Sequence, residues 1–279
     1  MQLMRRRVRN RLQAAAATVM MRGWSRRLPV YIVNEYPRSG GTWVAQMLSA
    51  ALRLPFPRNR IPQFRSSVLH AHCLRPFGMN NVVAVFRDGR DVMVSYYFYH
   101  FFYLPQSKLY VSHVAPYLGV KDPGDVERYL PRFVEFMLAT PRQPCFAWHE
   151  FTARWWRRPG VSCVRYEDAR SDPAAAIARI VDELTGKCLD GDEARAVAAR
   201  YSFQQQTGRR PGQEVRGAFA RRGIVGEWKT CFNAEARQIF CHYAGKELIR
   251  LGYEIDDSWV EERPSGSIDR AEQAAGVPA

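Results

Sequence analysis

Tyr36-Pro37-Arg38-Ser39-Gly40-Gly41-Thr42-Trp43 joins an apolar, β-branched run at Val30 to Val33 to a second apolar run from Val44 to Leu52. Strand, glycine turn and helix in that order form a cradle for phosphate. Adjacent glycines permit positive φ and a close backbone approach, and the following helix presents N–H groups and the positive end of its dipole. The G-x-x-x-x-G-K-[ST] spacing of an ATP-binding loop is absent, its lysine included. A second candidate follows the apolar run Val82 to Phe86: Arg87-Asp88-Gly89-Arg90-Asp91-Val92-Met93-Val94-Ser95-Tyr96-Tyr97. Arg87 falls at the carboxyl end of a strand, where open α/β sheets bind ligands, and Ser95 lies about two turns into the next helix.

The two segments resemble motifs of the sulfotransferases that use 3′-phosphoadenosine-5′-phosphosulfate (PAPS). The 5′-phosphosulfate loop of that family reads P-K-S-G-T-T-W, and Pro37 to Trp43 departs from it at Arg38 and Gly41. Its 3′-phosphate motif, R-x-x-x-D-V-x-V-S-Y-Y, is matched by Arg87 to Tyr97 at every fixed position. Arg165-Tyr166-Glu167-Asp168 with Asp172-Pro173 is similar to the Y-E-D-x-x-x-D-P block. Ser202-Phe203-Gln204 is similar to T-S-F-Q, with Tyr201 in place of Thr, and Arg221 to Lys229 resembles R-K-G-x-x-G-D-W-K. The match runs from about residue 30 to about residue 250.

The resemblance implies a division of roles. Amides of Ser39, Gly40, Gly41 and Thr42, with the Thr42 hydroxyl, would hold the 5′-phosphate. Arg87 and Ser95, joined by Arg221, Arg222 and Gly223, would hold the 3′-phosphate. Trp43 and Phe203 would stack on adenine, with Tyr166 and Tyr201 completing the cofactor site. Arg38 would neutralise charge on the phosphosulfate, electrostatically, because a guanidinium does not readily give up a proton. The family places its base in a K-T-H context, which aligns with His70-Ala71-His72. His72 is therefore the expected base and His70 takes the position of the lysine. Side chains two apart on a strand leave the same face, so either histidine can fill the role. Sulfuryl transfer needs an acceptor base, charge stabilisation and in-line alignment, and none of these demands a metal.

The elements that must position these groups are legible in the pattern. Val68 to Cys73, Val82 to Arg87 and Val161 to Glu167 are apolar and β-branched, as strands buried on both faces are. Val126 to Ala139 and Phe146 to Trp156 read as amphipathic helices. The expectation is a single α/β domain over 29–255 with a central parallel β-sheet flanked by helices, the P-loop-NTPase-like sulfotransferase fold. Tyr201 to Thr230, rich in glycine and charge, reads as a long loop over the nucleotide. The aromatic run Tyr96 to Tyr103 is either a buried helix or an acceptor pocket.

Residues 1–28 read as a basic arm or short interfacial helix, with eight arginines and no acid in the first 27; residues 256–279 read as a mobile tail. The formal net charge is +14, most of it from arginine, which suits an anionic cofactor. Six cysteines without metal or C-x-x-C spacing point to reduced thiols and a cytoplasmic enzyme, with membrane association through the arm as an option. The acceptor is expected to be a small molecule, carbohydrate or lipid, and no nucleic-acid partner is expected. A dimer motif of some relatives, K-x-x-x-T-V-x-x-x-E, begins at Lys229 and is not continued. Two other functions compete. One is a kinase-like phosphotransferase of the P-loop type, which would have to replace the missing G-K-[ST]. The other is a non-catalytic basic protein binding nucleic acid or anionic lipid.

Overall fold

The computed structural model describes residues 12–13, 15–24, 28–58, 64–106, 114–142 and 144–261. Four parallel strands form one sheet: β1 (Val30–Glu35), β2 (Ser67–Ala71), β3 (Val82–Phe86) and β4 (Val161–Arg165), in the order β2-β1-β3-β4. Parallel strands need crossovers, and the helices that supply them cover both faces. Alternation along β3 shows the consequence. Val83 and Val85 enter one core, with Val44 and Leu48 of α1 (Gly41–Ala51). Val82, Ala84 and Phe86 enter the other, with Tyr97 of α2 (Gly89–Phe98), Phe133 of α3 (Val126–Ala139) and Trp148 of α4 (Trp148–Trp155). The expected α/β architecture is therefore the observed one.

After β4 come α5 (Tyr166–Ser171), α6 (Pro173–Thr185), α7 (Gly191–Arg200) and α8 (Phe203–Thr207). α6 starts where the Asp172 side chain accepts from the Ala175 amide and Pro173 occupies the first turn, the usual opening for an Asp-Pro pair. Residues 209–227 run largely without regular structure before α9 (Ala234–Leu251). Arg209 stitches this segment together by donating to the carbonyls of Gln213, Ala220 and Arg221.

Beyond Phe98 the chain continues as a π-helical turn, Tyr99–Tyr103. Tyr96, Tyr97, Phe98 and Phe101 are buried, whereas Tyr99 and Tyr103 are half-buried and stack on one another at 5.2 Å. The run thus serves the core on one side and leaves an aromatic face on the other. Arg90 anchors the first turn of α2. Its guanidinium pairs with Asp88 at 2.7 Å and Glu254 at 2.5 Å and lies 3.6 Å over Trp228 and 4.5 Å over Trp259. Trp259, within the polar segment expected to be mobile, is buried for this reason, and residues 262–279 lie outside the described residues. Of the basic arm, residues 1–11, 14 and 25–27 lie outside them too, while Met20 and Met21 are buried in the core. Among the described residues no helix is long and apolar enough to cross a membrane.

Candidate active site

The glycine turn sits between β1 and α1, with Gly40 at φ 95° as the residue before the helix and Arg38 at φ 77°. What forces glycine here is proximity. A Cβ on Gly40 would lie 2.5 Å from the Tyr166 ring, and one on Gly41 would lie 2.7 Å from the carboxyl carbon of Glu35. Ser39 is buried and its amide donates to the Tyr36 carbonyl at 3.2 Å. The Gly41 amide donates to Glu35 Oε2 at 2.5 Å, so in this state it faces a carboxylate.

The second segment meets the first directly. Arg87 donates to the Arg38 carbonyl at 3.3 Å, and Arg38 Nε donates to Ser95 Oγ at 3.1 Å. Arg87 also reaches the Ile224 carbonyl at 3.3 Å and Asp91 at 3.5 Å, and lies 4.7 Å over Tyr166. Burial pulls its guanidinium pKa down, but Asp91, Tyr166, Glu167 and Glu227 together hold it above the ordinary value. Arg38 has fewer counter-charges. Burial and then the charge of Arg87 lower its pKa to about 10, which leaves it cationic at neutral pH. Arg38 is held between Tyr99 and Phe219, at 4.9 Å and 4.6 Å, and donates to the Phe219 carbonyl.

Asp91 closes the arrangement by accepting from the amides of Gly226 and Trp228 at 2.8 Å and 2.9 Å, which ties the 221–228 segment to α2. Arg221 and Arg222 arrive on that segment already paired. Arg221 is buried against Glu214 and Glu227 with Phe98 beneath it at 3.9 Å, and Arg222 pairs with Glu227 at 3.1 Å. Gly223 packs on Phe203, where a Cβ would meet the ring at 2.5 Å, and its carbonyl accepts from Arg170. Arg170 lies 5.8 Å over Trp43, whose indole N–H donates to the Tyr201 carbonyl at 2.9 Å and whose ring meets Tyr166 edge-on at 5.8 Å. Trp43, Tyr166, Tyr201, Phe203 and Gly223 thus form one chain of contacts. Arg38, Ser39, Gly40, Arg87 and Ser95 form another, joined to the first through Tyr166.

His70 and His72 leave β2 beside the end of β1, their rings 4.7 Å apart although β2 itself ends at Ala71. His70 Nε2 lies 2.8 Å from Glu35 Oε1, and His72 Nδ1 lies 3.1 Å from the Glu35 carbonyl. A carbonyl can only accept, so His72 carries its proton on Nδ1 in this contact and presents Nε2 as a free lone pair. Desolvation, followed by the neighbouring His70, lowers the His72 pKa; because the residue is exposed at its edge, the desolvation is partial. Burial pushes the Glu35 carboxyl up, but the His70 hydrogen bond, both imidazoles and the Gly41 amide hold it below the ordinary carboxylate range. Glu35, His70 and His72 bring potential ligand atoms within 4.8 Å of one another, the one such group among the described residues. Glu35 Oε1 and His70 Nε2 are spent on each other and Oε2 on Gly41, so the cluster reads as a hydrogen-bonded network.

A family model described as a sulfotransferase domain matches residues 57–252. The chain belongs to the sulfotransferases. The matched span contains the Arg87 motif and both histidines and begins after the glycine turn. Bovine sulfotransferase 1A1 is 26% identical over 264 residues, covering 77% of this chain and 82% of that protein. Rat sulfotransferase 2B1 is 23% identical over 282 residues, covering 86% and 77%. Mouse sulfotransferase SULT7A1, complexed with PAP, superposes with a TM-score of 0.64 at 14% identity over 89% of this chain and 93% of that one. Retinol dehydratase in complex with androsterone and the inactive cofactor PAP gives 0.60 at 17% identity, over 85% of each chain. This sulfotransferase uses PAPS as its sulfuryl donor. Its own residues fit a phosphorylated ligand: Ser39 Oγ, Arg87 Nε and Arg222 Nε are buried without a partner, atoms that phosphate oxygens can satisfy. Sequence reading missed two polar residues of this sulfotransferase site. Asp91 was visible as a fixed position of the motif, whereas Glu35 had no signal beyond ending an apolar run.

Proposed function

We propose that the enzyme transfers the sulfuryl group to a hydroxyl or amine of a small molecule, with His72 as general base. The observation that carries this reading is the junction of the two phosphate motifs, Arg87 to the Arg38 carbonyl and Arg38 Nε to Ser95 Oγ. Ser39, Gly40, Thr42 and Arg38 hold the 5′ side of the donor, and Arg87 and Ser95 hold the 3′-phosphate. Trp43, Tyr166, Tyr201, Phe203 and Gly223 flank the adenine. Arg221 acts mainly by holding the 214–227 segment in place, since it is committed to two carboxylates, whereas Arg222 pairs through one nitrogen only and keeps its Nε for the 3′-phosphate. The donor supplies an activated sulfuryl group. His72 Nε2 takes the acceptor proton as the new bond to sulfur forms and the bridging bond to the 5′-phosphate breaks, its electron pair leaving with the nucleotide. Arg38 stabilises that leaving charge as a cation in a desolvated setting, without proton transfer.

The half-buried rings of Tyr99 and Tyr103 with Phe219, edge-on at 6.4 Å and 5.7 Å, offer an apolar face beside Arg38. This face favours a flat, hydroxylated small molecule over a carbohydrate or lipid acceptor. Six free cysteines suit a reducing, cytoplasmic setting, and the arginines of residues 1–27 supply a surface for anionic lipid. The test of the nucleotide reading is affinity. 3′-Phosphoadenosine-5′-phosphate is expected to bind at least about tenfold more tightly than AMP, about 1.4 kcal/mol, measured by calorimetry. Equal affinities would remove Arg87 and Ser95 from the 3′-phosphate.

A further inference from the structure

We infer that Glu35 is a positioning residue of the acceptor base, holding both imidazoles and serving as counter-charge to the proton that His72 receives. The inference rests on the proposed role of His72 and adds a residue to it. Glu35 is the last residue of β1, and the register that pairs Asn34 with Ala71 sets it beside His72. From there its three acceptor atoms serve three elements. Oε1 faces His70 of β2, Oε2 takes the Gly41 amide at the start of α1, and the main-chain carbonyl takes His72 Nδ1–H. The carboxylate backs His70 and fixes its tautomer, whereas His72 is fixed by the main-chain carbonyl and feels the carboxylate through its charge, which stabilises the imidazolium that forms when His72 accepts a proton.

That counter-charge matters because of what else surrounds the site. From β2, His70 faces His72, and next to it Cys73 has its thiol pKa raised by burial. From the loop after β1 comes Arg38, whose cation is stabilised in part by Glu35 and opposed by Arg87 at the end of β3. None of these neighbours is negative, and burial and then His70 oppose placing a proton on His72. Glu35 opposes them from β1, buried with 3% exposure, where water screens it little. The same side chain touches the phosphate cradle through Gly41, so the base and the donor loop are referred to one rigid point.

Two experiments test the inference. In the parent enzyme, nitrogen-detected NMR of the imidazoles should find His72 protonated on Nδ1 and His70 on Nε2. This needs no variant and no turnover. The opposite tautomers in both rings would overturn the positioning role. Glu35→Gln should lower kcat about tenfold or more and move the acid limb of kcat/KM to lower pH, because losing the carboxylate makes His72 harder to protonate. An unmoved limb with kcat within about twofold would show that Glu35 only packs. The outcomes separate the two readings. Correct tautomers in a protein that binds the nucleotide but shows no loss of turnover on His72→Asn would sink the base assignment and leave the geometry of Glu35 standing.

Discussion

Gly40→Ala asks whether the glycine turn is required by its neighbours or merely tolerates them. The substitution meets two costs. The backbone at φ 95°, ψ 7° lies in the left-handed region, where a side chain costs roughly 1–2 kcal/mol. The new methyl would also lie 2.5 Å and 2.9 Å from two atoms of the Tyr166 ring, about an ångström inside normal contact, and overpacking of this kind costs roughly 1–3 kcal/mol. Tyr166 cannot swing freely, because Arg87 lies over its face and Trp43 meets its edge. The expected destabilisation is about 2–5 kcal/mol, or a fall in Tm of about 4–20 °C for a domain of this size. Gly119→Ala is the matched control. Gly119 also has positive φ, 58°, yet among the described residues nothing lies within 4 Å of its added methyl, so only the backbone cost remains. Thermal unfolding of both variants, with and without 3′-phosphoadenosine-5′-phosphate, reads the difference, and ligand stabilisation should shrink in the Gly40 variant alone. Equal Tm losses in the two variants would refute the claim that Tyr166 dictates the turn.

His72→Asn, checked to be folded by its unfolding midpoint, should lower kcat by about 10² or more on an aliphatic alcohol, with nucleotide affinity within a few fold, and His70→Ala should be milder. The reverse ranking would move the base one position along the strand. Because His72 must be unprotonated to act and its pKa is lowered, activity should rise with pH through a limb that lies below the ordinary imidazole value. A limb above pH 7 would contradict this. Deletion of residues 1–11, which stops short of the buried Met20 and Met21, should abolish binding to anionic vesicles and leave nucleotide affinity unchanged, and undiminished vesicle binding would dismiss the arm.

The sheet and its cradle were legible because their signals are local. An apolar β-branched run, a glycine pair and a second apolar run specify strand, turn and helix without reference to the rest of the chain. Glu35 was not legible for the opposite reason. Its meaning depends on the register that sets β1 beside β2, and a polar residue ending a strand ordinarily reads as the start of a loop. Arg221 shows a related gap. Its ion pairs with Glu214 and Glu227 join residues of one segment that has no periodicity, so nothing in the sequence marks them. Trp259 was hidden by composition, since a single aromatic in a polar stretch gives no periodicity, and its burial is decided by Arg90 far away in sequence.

The Arg87 motif is two-sided. Arg87 and Ser95 face Arg38, and Asp91 faces the 226–228 amides, while the residues between the first and last of the R-x-x-x-D spacing look away: Asp88 pairs with Arg90, Arg90 holds Glu254, Trp228 and Trp259, and Gly89 leaves room for Phe240 and Trp148, which a Cβ would meet at 2.6 Å and 2.7 Å. Positions that a motif leaves variable are therefore not free in this chain. Arg90, Glu254 and Trp259 meet around Trp228, so a change at one of them is felt by the others. An enzyme redesigned by grafting this nucleotide motif onto another backbone would have to carry its C-terminal segment along with it.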